Sequence, residues 1–342
     1  MVFVLMSSLA VSFMIASAFS TPFLAFLKKQ KLGKMIRTEA SGGGSSPLFH
    51  KLHKKKMGTP TLGGILIWGT VLFTVLGSRF LSYFGYISRS LLDRGEVYLP
   101  LLTLIVMGIL GAIDDYLNIQ EGKTKGITPK PKMFFLLLFS GIGAYWFYFK
   151  LGYTAITIPF LGLVPLGLWY IPLFMFIITG TSNAVNITDG LDGLAGGLLL
   201  IAFASFSFLA FYKGLFVLSV FCAVIMGAIL AFLWNNVPPA KFYMGDTGSL
   251  SLGATLGVIA MMTDFLYVLP FVGFIFMAET ISVLLQWTSK RLRNKKLFHI
   301  APIHHHFEYI GWGESQIVMR FWILGAFFSG FGILLGIFIL SI

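Results

Sequence analysis

Long apolar runs decide the class of this chain before any motif is considered. They lie near residues 2–27, 60–78, 97–113, 133–149, 166–182, 194–212, 215–234, 248–263, 266–287 and 317–341. Each approaches the roughly 20 apolar residues that a helix needs to cross a bilayer. Backbone groups in hydrocarbon must be satisfied within the segment, so such runs fold as helices. The expectation is an all-α polytopic integral membrane protein with about ten transmembrane helices, forming a single domain over residues 1–342. Composition agrees: 57% of the residues are hydrophobic and 11% are charged, against about 25% charged in soluble domains. A soluble, disordered or coiled-coil chain is excluded. The lysines follow the first run rather than precede it, so that run reads as an uncleaved span and not a secretory signal.

Charge sets the orientation. Of the 25 Lys and Arg residues, 20 fall in alternate connections or, for Arg320, at the start of the last run. The positive-inside rule then assigns the loops near 28–59, 114–132, 183–193, 235–247 and 288–316 to the cytoplasm and both termini to the outer side. A net charge of +12 points to anionic headgroups or an anionic substrate. Segment 41–46 reads as a flexible linker and segment 153–165 as a small outer hairpin or an interfacial piece. The single cysteine, Cys222, lies in an apolar run and leaves no disulfide and no cysteine-based metal site.

Only thirteen residues are acidic, so their positions carry information. Asp114 and Asp115 end the third run. Asp189 and Asp192 open the sixth, and Asp246 opens the eighth. All five fall at expected cytoplasmic helix ends. Capping and the helix dipole account for Asp189, Asp192 and Asp246 as readily as function does. Asp114 and Asp115 are read at a helix C-terminus, where the dipole and their mutual repulsion disfavour them. A divalent cation would neutralise the group, and oxygen-only ligands select Mg²⁺ or Mn²⁺ over zinc. Gly190, Gly193, Gly245 and Gly248 would leave backbone amides open for phosphate at helix starts. Asp189 and Asp192 are spaced for one helical face. Asn183 and Asn186 share that spacing and could hydrogen-bond a ligand. Metal, phosphate-binding helix starts and lysines together suggest phosphoryl transfer.

Residues 301–308 read Ala-Pro-Ile-His-His-His-Phe-Glu. Three consecutive histidines cannot all face one ligand from a helix, and phosphate contact is favoured over zinc. His50, His53 and His299 are expected to be solvated. Glu279 lies inside the ninth run, where an ionisable residue is costly. A functional role and a hydrogen bond to a neighbouring helix both stand open. Arg79 and Asp264 sit at outer ends and read as interfacial.

The segments Lys55–Gly64, Asp114-Asp115, Asn183–Gly193, Tyr243–Ser249 and Pro302–Glu308 together resemble the polyprenyl-phosphate N-acetylhexosamine-1-phosphate transferase superfamily. The Gly-Thr-Pro-Thr segment around Thr61 and the triple histidine resemble its phospho-N-acetylmuramoyl-pentapeptide transferase branch. The resemblance implies Mg²⁺ as cofactor with Asp246 as ligand, and Asp114 and Asp115 as an essential pair near the metal and the lipid phosphate. It places Asn186, Gly190, Leu191 and Asp192, with Lys56 beside them, on the nucleoside side, and Asp189, Asn183 and Thr61 count as further substrate-binding candidates. Tyr243 sits where the family often has Phe and could stack on uracil, and Asn236 precedes it at the family's spacing. Gln286, His304, His305 and His306 resemble the segment that contacts the sugar–phosphate. One departure stands out: the family's Asp-Asp-x-x-Lys ends here in Asn118, so one basic contact is either missing or supplied elsewhere, by Lys125, Lys130 or Lys132.

The implied reaction joins UDP-N-acetylmuramoyl-pentapeptide to undecaprenyl phosphate at the inner face of a bacterial cytoplasmic membrane, giving lipid I and UMP. The partners are these two substrates and the bilayer, with no nucleic acid. A homodimer is the oligomer allowed for. A sister activity on N-acetylglucosamine-1-phosphate is the alternative. A cation-coupled transporter is remote, because such a protein would carry its acids at mid-membrane.

Overall fold

The computed structural model describes residues 1–33, 39–40, 44–45, 58–120 and 129–341. Helices α1 (Val2–Lys29), α2 (Gly64–Tyr83), α3 (Tyr98–Gln120) and α4 (Pro129–Tyr145) are followed by a hairpin. Then come α5 (Tyr170–Thr188), α6 (Leu194–Tyr212), α7 (Phe216–Asn236) and α8 (Gly245–Met262). The chain ends with α9 (Leu269–Val272), α10 (Phe274–Arg293), α11 (Ile303–Tyr309) and α12 (Glu314–Ser341). Among the described residues, eight helices are long and apolar enough to cross a membrane. The segments Leu266–Val272 and Phe274–Arg293, bent by 78° at Gly273, count as a ninth if taken as one broken span.

The remaining run of the ten is α8, and it differs from the others for a physical reason. Its first half is small and polar, yet every residue from Thr247 to Met262 is buried. Helices α2, α3 and α5 pack around it, so lipid does not meet those polar groups. Its hydroxyls are satisfied within the helix. Ser249 donates to the Gly245 carbonyl, Ser251 to Thr247 and Thr255 to Ser251, the pattern that makes Ser and Thr tolerable in a membrane helix. Ser182 of α5 donates to the Leu250 carbonyl across the interface. Helices α6 and α7 are also largely buried, whereas α1 and α12 present most of their surface outward.

Close approach at the start of α8 depends on glycine. A Cβ on Gly111 of α3 would overlap the Asp246 carbonyl and the Thr247 amide, and both are backbone atoms that cannot turn aside. Gly111→Ala is therefore expected to separate α3 from α8, lowering stability by about 1–3 kcal/mol and reducing activity with it. Gly69→Ala on α2 is the control, because nothing lies within 4 Å of its Cβ position. It should leave activity unchanged. Thermal unfolding of both variants in detergent, alongside turnover, checks the contrast.

The connection between α4 and α5 folds as a hairpin. Strands Ala155–Ile158 and Gly162–Pro165 pair antiparallel. Asp264 is not merely interfacial, because it ties this hairpin to the end of α8. Its carboxylate accepts the Thr157 amide at 3.0 Å and the Thr157 hydroxyl, with Lys213 at 4.0 Å. Arg79 pairs with Asp93 at 2.8 Å. Of segment 41–46, only Gly44 and Ser45 are described, and they pair with Glu39–Ala40 as a two-residue hairpin.

Two local expectations are corrected. Helix α3 runs on to Gln120, so Asp114 and Asp115 lie inside it rather than at its end. Asp189 caps the C-terminus of α5, and α6 begins only at Leu194 after Gly193 in a left-handed conformation (φ 81°). Asp189 and Asp192 thus share a turn between helices and not a helical face. The glycines at 190 and 193 break the run that the spacing treated as continuous.

Candidate active site

The N-terminus of α8 organises the site. Asp115 reaches it from α3 and accepts three hydrogen bonds: the amides of Asp246 (3.2 Å) and Thr247 (3.1 Å) and the Thr247 hydroxyl (2.7 Å). A carboxylate satisfies helix-start donors and meets the positive end of the helix dipole. The expectation that Gly245 and Gly248 leave these amides open to phosphate is thereby corrected. The Gly193 amide is taken as well, by the Asn236 side chain at 3.0 Å.

With its helix anchored in this way, Asp246 meets two side chains. Asn186 of α5 donates to it at 2.7 Å and to the Ser249 hydroxyl at 2.9 Å. The Lys132 ammonium of α4 contacts it from another side and also lies 3.2 Å from Asp114 Oδ2. Asn118 donates to Asp114 Oδ1 at 3.5 Å. Burial alone would raise the Asp246 carboxyl. The Lys132 ammonium and the hydrogen bonds that Lys132 and Asn186 donate together overcome that and hold it below the usual carboxylate range. Of the expected cations, Lys132 is the one that meets this site among the described residues. Lys130 is exposed and Lys125 lies outside the described residues.

Asp114 and Asp246 converge on one cation, and this bears on Mg²⁺. Among the described residues, no three or more His, Cys, Asp or Glu side chains gather as a metal group. The expected cluster of five carboxylates is corrected: Asp115 is engaged by α8, Asp189 caps α5, and Asp192 stitches loops together. Mg²⁺ needs no such cage, because it takes one or two carboxylates and completes its octahedron with water and substrate phosphate. Asp246 and Asp114, drawn together around a positive charge, fit that requirement.

A second group of residues builds the neighbouring wall. Asp192 accepts the Ala240 amide at 2.9 Å, and its own amide donates to Glu314 at 2.8 Å. Asn236 donates to the Phe242 carbonyl at 3.0 Å. Leu191 is buried. The stretch from Pro60 to Gly64 is clamped from two sides, since Thr61 donates to Leu32 while Gly63 and Gly64 donate to Tyr243 and Met244. This brings the Thr61 hydroxyl, which is buried and has no hydrogen-bond partner among the described residues, beside Gly245 and Asp115. Tyr243 is half-buried on the same clamp. Lys56, His50 and His53 lie outside the described residues.

The three histidines diverge on α11, as consecutive helical residues must. His304 turns to Glu279 of α10, His305 pairs with Glu308 at 2.6 Å, and His306 stacks on His299. His299 is exposed and also stacks on Tyr309. Two expected binding residues hydrogen-bond to nearby backbone. Asn183 donates to Thr179 of its own helix at 2.8 Å. Gln286 is buried, accepting from Leu297 and Phe298 and donating to the Phe298 carbonyl. It braces the turn that leads to α11. Glu314 was missed by sequence reasoning, because an acid in a first helical turn reads as an ordinary dipole partner.

Comparison with known proteins adds an independent observation. A family model described as glycosyl transferase family 4 matches residues 97–264. A phospho-N-acetylmuramoyl-pentapeptide-transferase from Geobacillus sp. (strain WCH70) is 38% identical over 338 residues, covering 98% of this chain and 99% of that protein. The protein of the same name from Halalkalibacterium halodurans is 39% identical over 342 aligned residues, covering 98% of each. The one from Thermodesulfovibrio yellowstonii is 39% identical over 341, covering 94% of this chain and 89% of that protein.

Proposed function

This chain belongs to the phospho-N-acetylmuramoyl-pentapeptide transferases, and from that premise we propose how its residues carry the reaction. The enzyme transfers phospho-N-acetylmuramoyl-pentapeptide from its UDP-linked donor to undecaprenyl phosphate in peptidoglycan synthesis, releasing UMP and leaving lipid I. The observation that carries the reading is the convergence of Asp114, Lys132, Asn186 and Asp246 at the start of α8. Two anions must meet there, and the sister activity on N-acetylglucosamine-1-phosphate is not favoured by the relatives. In orientation, α8 starts at the cytoplasmic face of a bacterial inner membrane and both chain termini lie outside.

Lys132 offsets the repulsion between donor and acceptor phosphates. Mg²⁺, held by Asp246 with Asp114 facing it, would act as Lewis acid on the diphosphate and stabilise UMP as it leaves. The acceptor needs little activation, because a phosphate monoester with a second pKa near ~6 is largely dianionic at neutral pH. Asp114 orients that phosphate or takes its residual proton. Asp115 keeps Asp246 in place through the α8 amides and touches no substrate. Asp192, Gly190, Leu191 and Asn236 shape the nucleoside wall, with Tyr243 available to stack on uracil. An apolar groove of about 310 Å³ along α10, lined by Phe274, Met277, Ile281, Leu285, Phe298 and Ile303, suits the polyprenyl chain.

Purified protein in detergent, given Mg²⁺, undecaprenyl phosphate and UDP-N-acetylmuramoyl-pentapeptide, is expected to form lipid I and UMP in equal amounts. UDP-N-acetylglucosamine in its place should yield no lipid product. Transfer of the smaller sugar alone would refute the assignment.

A further inference from the structure

Glu279 and His304 form a buried pair that the chemistry above does not use. Glu279 lies in the first turns of α10, and His304 opens α11 after the Pro302 cap. Both residues are 0% exposed. His304 Nδ1 lies 3.0 Å from Glu279 Oε2, within ion-pair distance but not aligned as a hydrogen bond. The His304 amide points at the same oxygen from 3.5 Å. On the far side of the ring, Nε2 lies against Gly190, at the place a Cβ would occupy. Neither Nε2 nor Glu279 Oε1 has a hydrogen-bond partner among the described residues.

Such an arrangement is costly if it only holds helices together. Buried polar atoms in folded proteins are nearly always paired, and an open one calls for an explanation in function. A carboxylate in a membrane helix is more costly still. The geometry supplies the explanation. Gly190 belongs to the turn after α5, the helix that brings Asn186 to Asp246. The His304 ring packs where a Cβ at Gly190 would lie. Glu279 stands behind that ring on the side away from the turn.

We propose that Glu279 is a positioning residue of the transferase. It holds the Nδ1 side of His304 so that the Nε2 edge of the ring fixes the Gly190 turn beside the site of the UDP-linked donor, and it acts on the reaction only through that ring. A partner that fixes one imidazole nitrogen determines what the other can offer, and removing such a supporting group typically costs about 10–100-fold in activity. The inference rests on the transferase reading above.

The test is a double-mutant cycle on turnover with both substrates varied. Glu279→Gln is expected to lower kcat/KM for the UDP-linked donor by about 10–100-fold, with KM for undecaprenyl phosphate unchanged. His304→Ala should lose at least as much. The double variant should be no worse than His304→Ala alone, because Glu279 has no route to the reaction without the ring. Losses that multiply in the double variant, or Glu279→Gln with wild-type kinetics, would overturn the proposal. A drop in donor and acceptor parameters together would overturn it too, as the mark of a merely structural residue. If Glu279→Gln does not fold, Glu279→Asp provides the same cycle, keeping the charge but withdrawing it by one methylene. The wild-type arm separates the two levels: if wild type makes no lipid I, the function is wrong, and if only the cycle fails, the role of Glu279 is.

Discussion

Asp246→Asn is expected to reduce kcat by roughly a thousandfold, from the several kcal/mol that a metal-held charge contributes to a phosphoryl-transfer transition state. The side chain meets Lys132 and Asn186 at once, so the isosteric amide removes charge with little change in volume. It also turns a donor toward donors: the Asn186 amide and the Lys132 ammonium would each face an NH₂ in one of its two orientations. Fold should survive, since Asp115 and not Asp246 caps α8. Turnover against Mg²⁺ concentration, with thermal unfolding as control, checks this. Near-normal activity with unaltered Mg²⁺ dependence would remove Asp246 from the metal role.

Asp114→Asn and Asp115→Asn are expected to fail in different ways, although the residues are adjacent. About 100° separates them around α3. Asp115 faces the α8 amides, and Asp114 faces Lys132 and Asn118. Asp115→Asn leaves one oxygen for three donors, so it should lower thermal stability and cut activity by about 10²-fold or more at every pH, a loss of positioned transition-state contacts. Asp114→Asn should lose less than the 10²–10⁴ typical of a general base, because the acceptor phosphate is already mostly ionised. Its deficit should shrink as pH rises from about 6 to 9, as the last fraction of monoester loses its proton. The measurement is a pH–rate profile of both variants at saturating Mg²⁺. A large, flat deficit in Asp114→Asn would make it a positioning residue, and recovery of Asp115→Asn with pH would transfer the base role to it.

The contrast between these two residues shows where sequence reasoning stops. Adjacent aspartates announce chemistry, and their importance is legible from repulsion alone. Which one caps a helix start belonging to a segment 131 positions away is not. The same holds for position 118. The resemblance puts a basic residue there and the sequence offers three candidates in its place, and among the described residues the packing of α4 brings Lys132 to the site. Asn183 and Gln286 are the opposite case. Both match the pattern of ligand-binding side chains, yet each is engaged by nearby backbone, a local competition that spacing cannot reveal.

Apolar run length and composition determined, by themselves, that this chain is a helical, multi-pass membrane protein. Those features are local sums over some 20 residues, and hydrocarbon permits few alternatives. Tertiary structure decided the rest. It buried α8 on every side, so that a helix too polar to meet lipid became the centre of the molecule. It drew Asp246 to partners 60 and 114 positions away, and it set Glu279 behind His304. These contacts depend on how closely helices approach, and at Gly111 and Gly190 that approach is set by the absence of a single carbon atom.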